Sequence, residues 1–161
     1  GYLKNAYTEW AIVGAFGDNL KTSARALAKT MNLSQENIEL LDELGVLINY
    51  NAYGETLDDL HFSPAELYQQ LYNYASPITF INSQTDNVFD QLRQAYAEDM
   101  NKATAVNAYY DNDKVSVFVL PEAAWARRIN GVWGNALANQ FVDKAHAVCV
   151  EKRDVFSLVY V

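Results

Sequence analysis

Val115-Ser116-Val117-Phe118-Val119-Leu120, six residues with one polar side chain, is the stretch whose reading decides the fold. Its apolar residues fall on both faces, the pattern of a strand inside a sheet covered by helices. Downstream, Pro121 opens a helical stretch in which Trp125, Ile129, Val132 and Leu137 recur at helical spacing, with Gly131 expected to break or kink it. Two further apolar runs, Ala145 to Val150 and Val155 to Val161, are separated by the polar turn Glu151-Lys152-Arg153-Asp154. Strand, helix, strand, strand predicts a small α/β unit. Upstream, Asp111-Asn112-Asp113 reads as the polar turn that delivers the first strand.

Helical patterns dominate the preceding residues. Leu20, Ala24, Leu27, Ala28 and Met31 form one periodic set, and Ile38, Leu41, Leu44 and Ile48 form another behind a Ser34 cap. Ser63-Pro64-Ala65-Glu66 joins an N-cap, a proline at the first helical position and a capping-box glutamate, the strongest boundary in the chain. Pro77 interrupts the helical reading, 82–87 is a polar connector, and a longer helix carries Phe89, Leu92, Tyr96 and Met100 on one face. Asn49 to Gly54 reads as a helix-terminating loop. The run Trp10 to Phe16 is apolar and reads as a strand. These patterns predict a mixed α/β protein: a mainly helical part over residues 1–85, a connecting helix over 86–110, and the small α/β unit over 111–161.

Composition narrows the function. Half of the 161 residues are hydrophobic and 20 % are charged, enough for a packed core and too apolar for wholesale disorder. Twelve Lys and Arg against twenty Asp and Glu give a net charge of −8. Nucleic-acid binding of the general kind draws its affinity from neutralised phosphates, so this chain is not a general polyanion binder. The one cysteine, Cys149, excludes an internal disulfide and a multi-cysteine zinc site. It reads as a small buried hydrophobe. No apolar run approaches the ~18 residues of a membrane span, and no leader pattern is visible. The expectation is a cytoplasmic chain without membrane partners. Both ends look cut, because apolar runs lie close to each of them.

The segment with most chemical promise is Ile12-Val13-Gly14-Ala15-Phe16-Gly17-Asp18-Asn19. Read as a strand, it delivers a carboxylate into a loop before a helix, where α/β sheets collect ligands and where a hard cation finds an oxygen donor. The alternative is that Asp18 and Asn19 cap the helix beginning near Leu20. Arg127 and Arg128, with Asn130 and Asn135, offer donors to a phosphate near Gly131, against exposed salt bridging as the alternative. His61 and His146 lack a close second ligand at metal spacing; His61 reads as a local structural or surface residue and His146 as a hydrogen-bonded or solvent-facing one. No Ser-His-Asp arrangement, P-loop or dinucleotide fingerprint is visible.

The run VGAFGDN (13–19) resembles the fourth metal-binding motif of the DHH-family phosphoesterases, a strand of form GxxxD. Gly14 matches the motif glycine and Asp18 its aspartate. The run INYNAYGE (48–55), followed by Asp59-Leu60-His61-Phe62, resembles the middle of a bacterial branch of that family. Trp125-Ala126-Arg127-Arg128-Ile129-Asn130-Gly131-Val132 and Lys144-Ala145-His146-Ala147 resemble its associated substrate-binding domain. The family's Asp-x-Asp and Asp-His-His motifs and its glycine-rich Gly-Gly-His-type motif do not occur in the chain; Asp111-Asn112-Asp113 has the first spacing but lies in a late turn. The resemblance implies a fragment of a metal-dependent phosphoesterase acting on nucleotides or short oligonucleotides, inactive by itself, with 111–161 a truncated substrate-binding domain. In the parent enzyme it implies Mn2+ or Mg2+ held in part by Asp18, substrate contacts from Arg127, Arg128 and Asn130, and a possible homodimer. In the fragment no metal is expected. A non-catalytic binding or protein-interaction module is the alternative, supported by the absent catalytic set and the eleven tyrosines.

Overall fold

The structure, a computed structural model, describes residues 7–83, 88–152 and, for the backbone, 155–160. It is a mixed α/β protein with a helical N-terminal part. In chain order the elements are α1 (Thr8–Gly17), α2 (Lys21–Thr30), α3 (Gln35–Tyr50), a 3-10 turn (Leu57–Asp59), α4 (Pro64–Tyr72), α5 (Pro77–Ile81), α6 (Val88–Thr104), β1 (Tyr110–Asp111), β2 (Val115–Leu120), α7 (Ala124–Gln140), β3 (Ala145–Lys152) and β4 (Val155–Tyr160). They divide into two compact units. The first comprises Gly1–Asn49 and Phe62–Arg93, the second Tyr50–His61 and Gln94–Val161.

The first unit is helical, and here the strand expected over Trp10 to Phe16 is corrected: those residues lie within helix α1. A short apolar run has no period of its own that separates a strand from a buried helix. What decides is the neighbour. Ile12, Val13 and Phe16 are buried, and Gly17 of α1 lies against Gly45 of α3. A Cβ on Gly45 would stand 2.8 Å from the Gly17 nitrogen and 3.1 Å from the Phe16 Cβ. With hydrogen at both positions the two helix backbones touch directly. Leu41, Leu44 and Leu47 of α3 and Ala24 and Ala28 of α2 are buried too. Trp10 Nε1 donates to the Tyr74 carbonyl at 3.1 Å, and Ser76 Oγ donates to Glu9.

Helix starts follow the local chemistry. Asn37 N–H donates to Ser34 Oγ, as the cap reading requires. At α4 the capping box is complete: Glu66 N–H donates to Ser63 Oγ at 3.3 Å, and Ser63 N–H donates to the Glu66 carboxylate at 3.0 Å. The Ser63 side chain and then the Ser63 N–H hold the Glu66 carboxyl below its ordinary range. Pro77 ends one helical pattern and also opens the short helix α5 as its first residue, where a missing N–H costs nothing. Four residues of the connector read over 82–87, namely 84–87, lie outside the described residues.

The second unit holds the sheet, in order β1-β2-β3-β4. β2 and β3 are parallel, with Val115 opposite Ala145 and Leu120 opposite Val150. β1 pairs antiparallel with β2, and β4 antiparallel with β3. Asp111 of the expected polar turn belongs to β1. The turn proper is made by Asn112, whose Oδ1 accepts from the N–H groups of Lys114 and Val115. Helix α7 makes the crossover between β2 and β3 and packs on the sheet, with the Phe118 and Trp133 rings 4.7 Å apart. Ala126, Ile129, Leu120, Val148 and Val150 are buried.

Gly131 does not break α7, which runs through it without interruption. Its lack of a Cβ serves packing instead: a methyl there would lie 2.8 Å from Tyr53 Cζ and 3.0 Å from Tyr53 Cε1. The side chain of Tyr53 therefore lies directly on the helix backbone. Among the described residues no helix is long and apolar enough to cross a membrane.

Candidate functional site

In the second unit a cavity of about 270 Å³ is lined by Tyr53, Gly54, Glu55, Glu122, Arg127, Asn130, Val150, Glu151 and Lys152. Three features of the fold converge on it. Leu120, the last residue of β2, is the register partner of Val150, so Glu122 follows the end of β2 and Glu151 and Lys152 are the last two residues of β3, past the parallel pairing. Arg127 and Asn130 are three residues apart near the start of α7 and therefore share a helix face. Tyr53, Gly54 and Glu55 come from the segment that follows α3. The carboxyl ends of parallel strands are where α/β sheets bind ligands, because the crossing helices leave a crevice there.

The loop wall is held in place by Asp59. Its Oδ2 accepts from the N–H groups of Glu55 at 2.8 Å and Thr56 at 3.2 Å. Arg127 grips the same carboxylate with Nε to Oδ2 at 2.8 Å and Nη2 to Oδ1 at 2.6 Å. Arg127's hydrogen bonds, with those two backbone donors, outweigh burial and hold the Asp59 carboxyl far below its ordinary range. The guanidinium is raised in turn, first by the Asp59 bond, with Glu55 and Glu122 adding to it. Across the cavity Lys152 Nζ donates to Glu55 Oε1.

Asn130 is the unusual member of the lining. It is only 8 % exposed, and its Oδ1 is buried without a hydrogen-bond partner. Burying an acceptor unpaired costs ~1–3 kcal/mol.

Arg128, the next residue after Arg127, has a different role. Its Nε and Nη2 donate to Asp99 Oδ2 at 2.9 and 2.7 Å, Nε also reaches Tyr50 Oη at 3.2 Å, and Nη1 donates to the Asp59 carbonyl at 2.6 Å. Tyr50 Oη donates its one proton to Asp99 at 2.5 Å. His61 Nε2, 2.9 Å from that oxygen, must therefore carry the hydrogen and donate. Burial tends to raise the Asp99 carboxyl, but the bonds from Tyr50, Lys102 and Arg128 prevail and hold it below the ordinary range. Burial and the bond to Asp99 push the Tyr50 hydroxyl well up. Burial, then the Arg128 charge, lowers His61. The network ties Tyr50, Asp99 and Arg128 together and leaves Arg128 out of the cavity lining.

Of the residues singled out from sequence, Arg127 and Asn130 share the cavity, Arg128 lies in the buried network, Asn135 lies further along α7 outside the lining, and Asp18 lies in the other unit. Asp18 is exposed and ends helix α1, its N–H donating to the Gly14 and Phe16 carbonyls. The strand-end setting expected for it is absent, because its run is helical. Nor does it cap the next helix: Leu20 is the N-cap of α2, without a side-chain bond, and Asn19 at φ 59° turns the chain out of α1. No group of three or more His, Cys, Asp or Glu able to hold a metal ion occurs among the described residues.

Sequence reasoning missed Tyr53, Glu122, Glu151 and Lys152. The pairing of β2 with β3 brings Glu122, Glu151 and Lys152 together, and Tyr53 joins them by packing on Gly131 of α7. A Ser, a His and an Asp also meet on the sheet, yet not as a catalytic set. Ser116 Oγ donates to Asp111 at 2.5 Å, while both ring nitrogens of His146 are buried without a partner.

No protein-family model matches the chain, and neither a curated protein nor a solved structure matches it.

Proposed function

We propose that this chain acts as a binding module, whose second unit holds a small polar molecule at the carboxyl ends of β2 and β3. The observation that carries the reading is the cavity of about 270 Å³ where the parallel pairing of β2 and β3 ends, lined by Tyr53, Arg127 and Asn130. A cavity of that size suits a molecule of metabolite dimensions and lies just under the usual range for drug-sized ligands. The test is a backbone amide NMR titration of the whole chain with a panel of small amines, amino acids, carboxylates and mononucleotides. Saturable shifts confined to 53–55, 122–130 and 150–152 are expected for at least one member, and Gly131→Ala, which displaces Tyr53, should weaken them. If no member shifts these amides at millimolar concentration, the reading fails.

A phosphoesterase parent is the second reading, favoured by one observation: Arg127 and Asn130, two of the residues that the DHH resemblance assigns to substrate, line the same cavity. In this reading the parent supplies a Mn2+ or Mg2+ centre with Asp18 as one ligand, and the cavity takes part of a nucleotide or short oligonucleotide phosphoester. Asp18→Asn in the full-length parent should then sharply reduce manganese-dependent hydrolysis of a dinucleotide. Unchanged turnover would remove Asp18 from the metal centre.

A further inference from the structure

We draw no further inference here: the strongest candidate, the apolar face of the sheet on the side away from α7, where Val117, Val119 and Ala147 are half-buried, carries nothing because nothing in the structure shows what covers it.

Discussion

Two glycines on neighbouring helices should respond to the same substitution with opposite signs. At Gly14 of α1 an added Cβ meets nothing within 4 Å; at Gly45 of α3 it meets the Gly17 nitrogen at 2.8 Å, the Phe16 Cβ at 3.1 Å and the Val13 carbonyl oxygen closer still. Neither glycine has positive φ, so alanine fits the local backbone at both sites. Gly→Ala in an exposed helix interior gains about 1 kcal/mol, which Gly14→Ala should show as a rise of about 2–4 °C in Tm for a chain of this length. Gly45→Ala gains the same propensity but drives a methyl into backbone atoms that cannot rotate away. Overpacking of this kind costs about 1–3 kcal/mol, occasionally more, and with rigid neighbours the upper end applies. The net expectation is a loss of about 1–2 kcal/mol. Urea and thermal unfolding followed by circular dichroism give both signs. If Gly45→Ala is neutral or stabilising, the direct contact between α1 and α3 is incorrect. A Gly14→Ala loss would place residues 10–16 in something other than an exposed-face helix.

Arg128→Met should cost about 3–5 kcal/mol, since it strands Asp99, which is 2 % exposed, without its main partner; a urea-derived loss below about 1 kcal/mol would show the network to be dispensable. His61 is lowered in the folded state, so its contribution is complete above its unfolded pKa, about 6.5, and is lost as pH falls through the lower folded value. His61→Gln should therefore flatten the stability curve as pH falls below about 6.5, and an unchanged slope refutes the assignment. Asp59 is depressed in the same sense, with its contribution present above an unfolded pKa of about 3.9 and lost as pH falls below that. Asp59→Asn should be most damaging at neutral pH and converge on wild type toward pH 2, so a constant gap across the acid range would contradict the Asp59–Arg127 account.

The sequence by itself determined what depends on near neighbours. Ser63 and Glu66 lie three residues apart, so their reciprocal bonds form wherever the helix starts, and the boundary is legible without any partner. The alternation and spacing over 115–160 likewise announced strand, helix, strand and strand, because each period is a property of its own segment. Tertiary structure decided the rest. The apolar run 10–16 carries no period that separates strand from helix; the glycine contact between α1 and α3 settles it, across twenty-eight residues from Gly17 to Gly45. With that, Asp18 became the end of a helix. Asp59 and Arg127 are 68 residues apart and Asp99 and Arg128 are 29 apart, so nothing in their local sequence distinguishes the arginine that lines the cavity from the one beside it that does not. Glu122, Glu151 and Lys152 become a site only through the parallel register that sets Leu120 opposite Val150. A ligand site is a meeting of side chains from separate segments, and their distances are set by packing, which no single segment encodes.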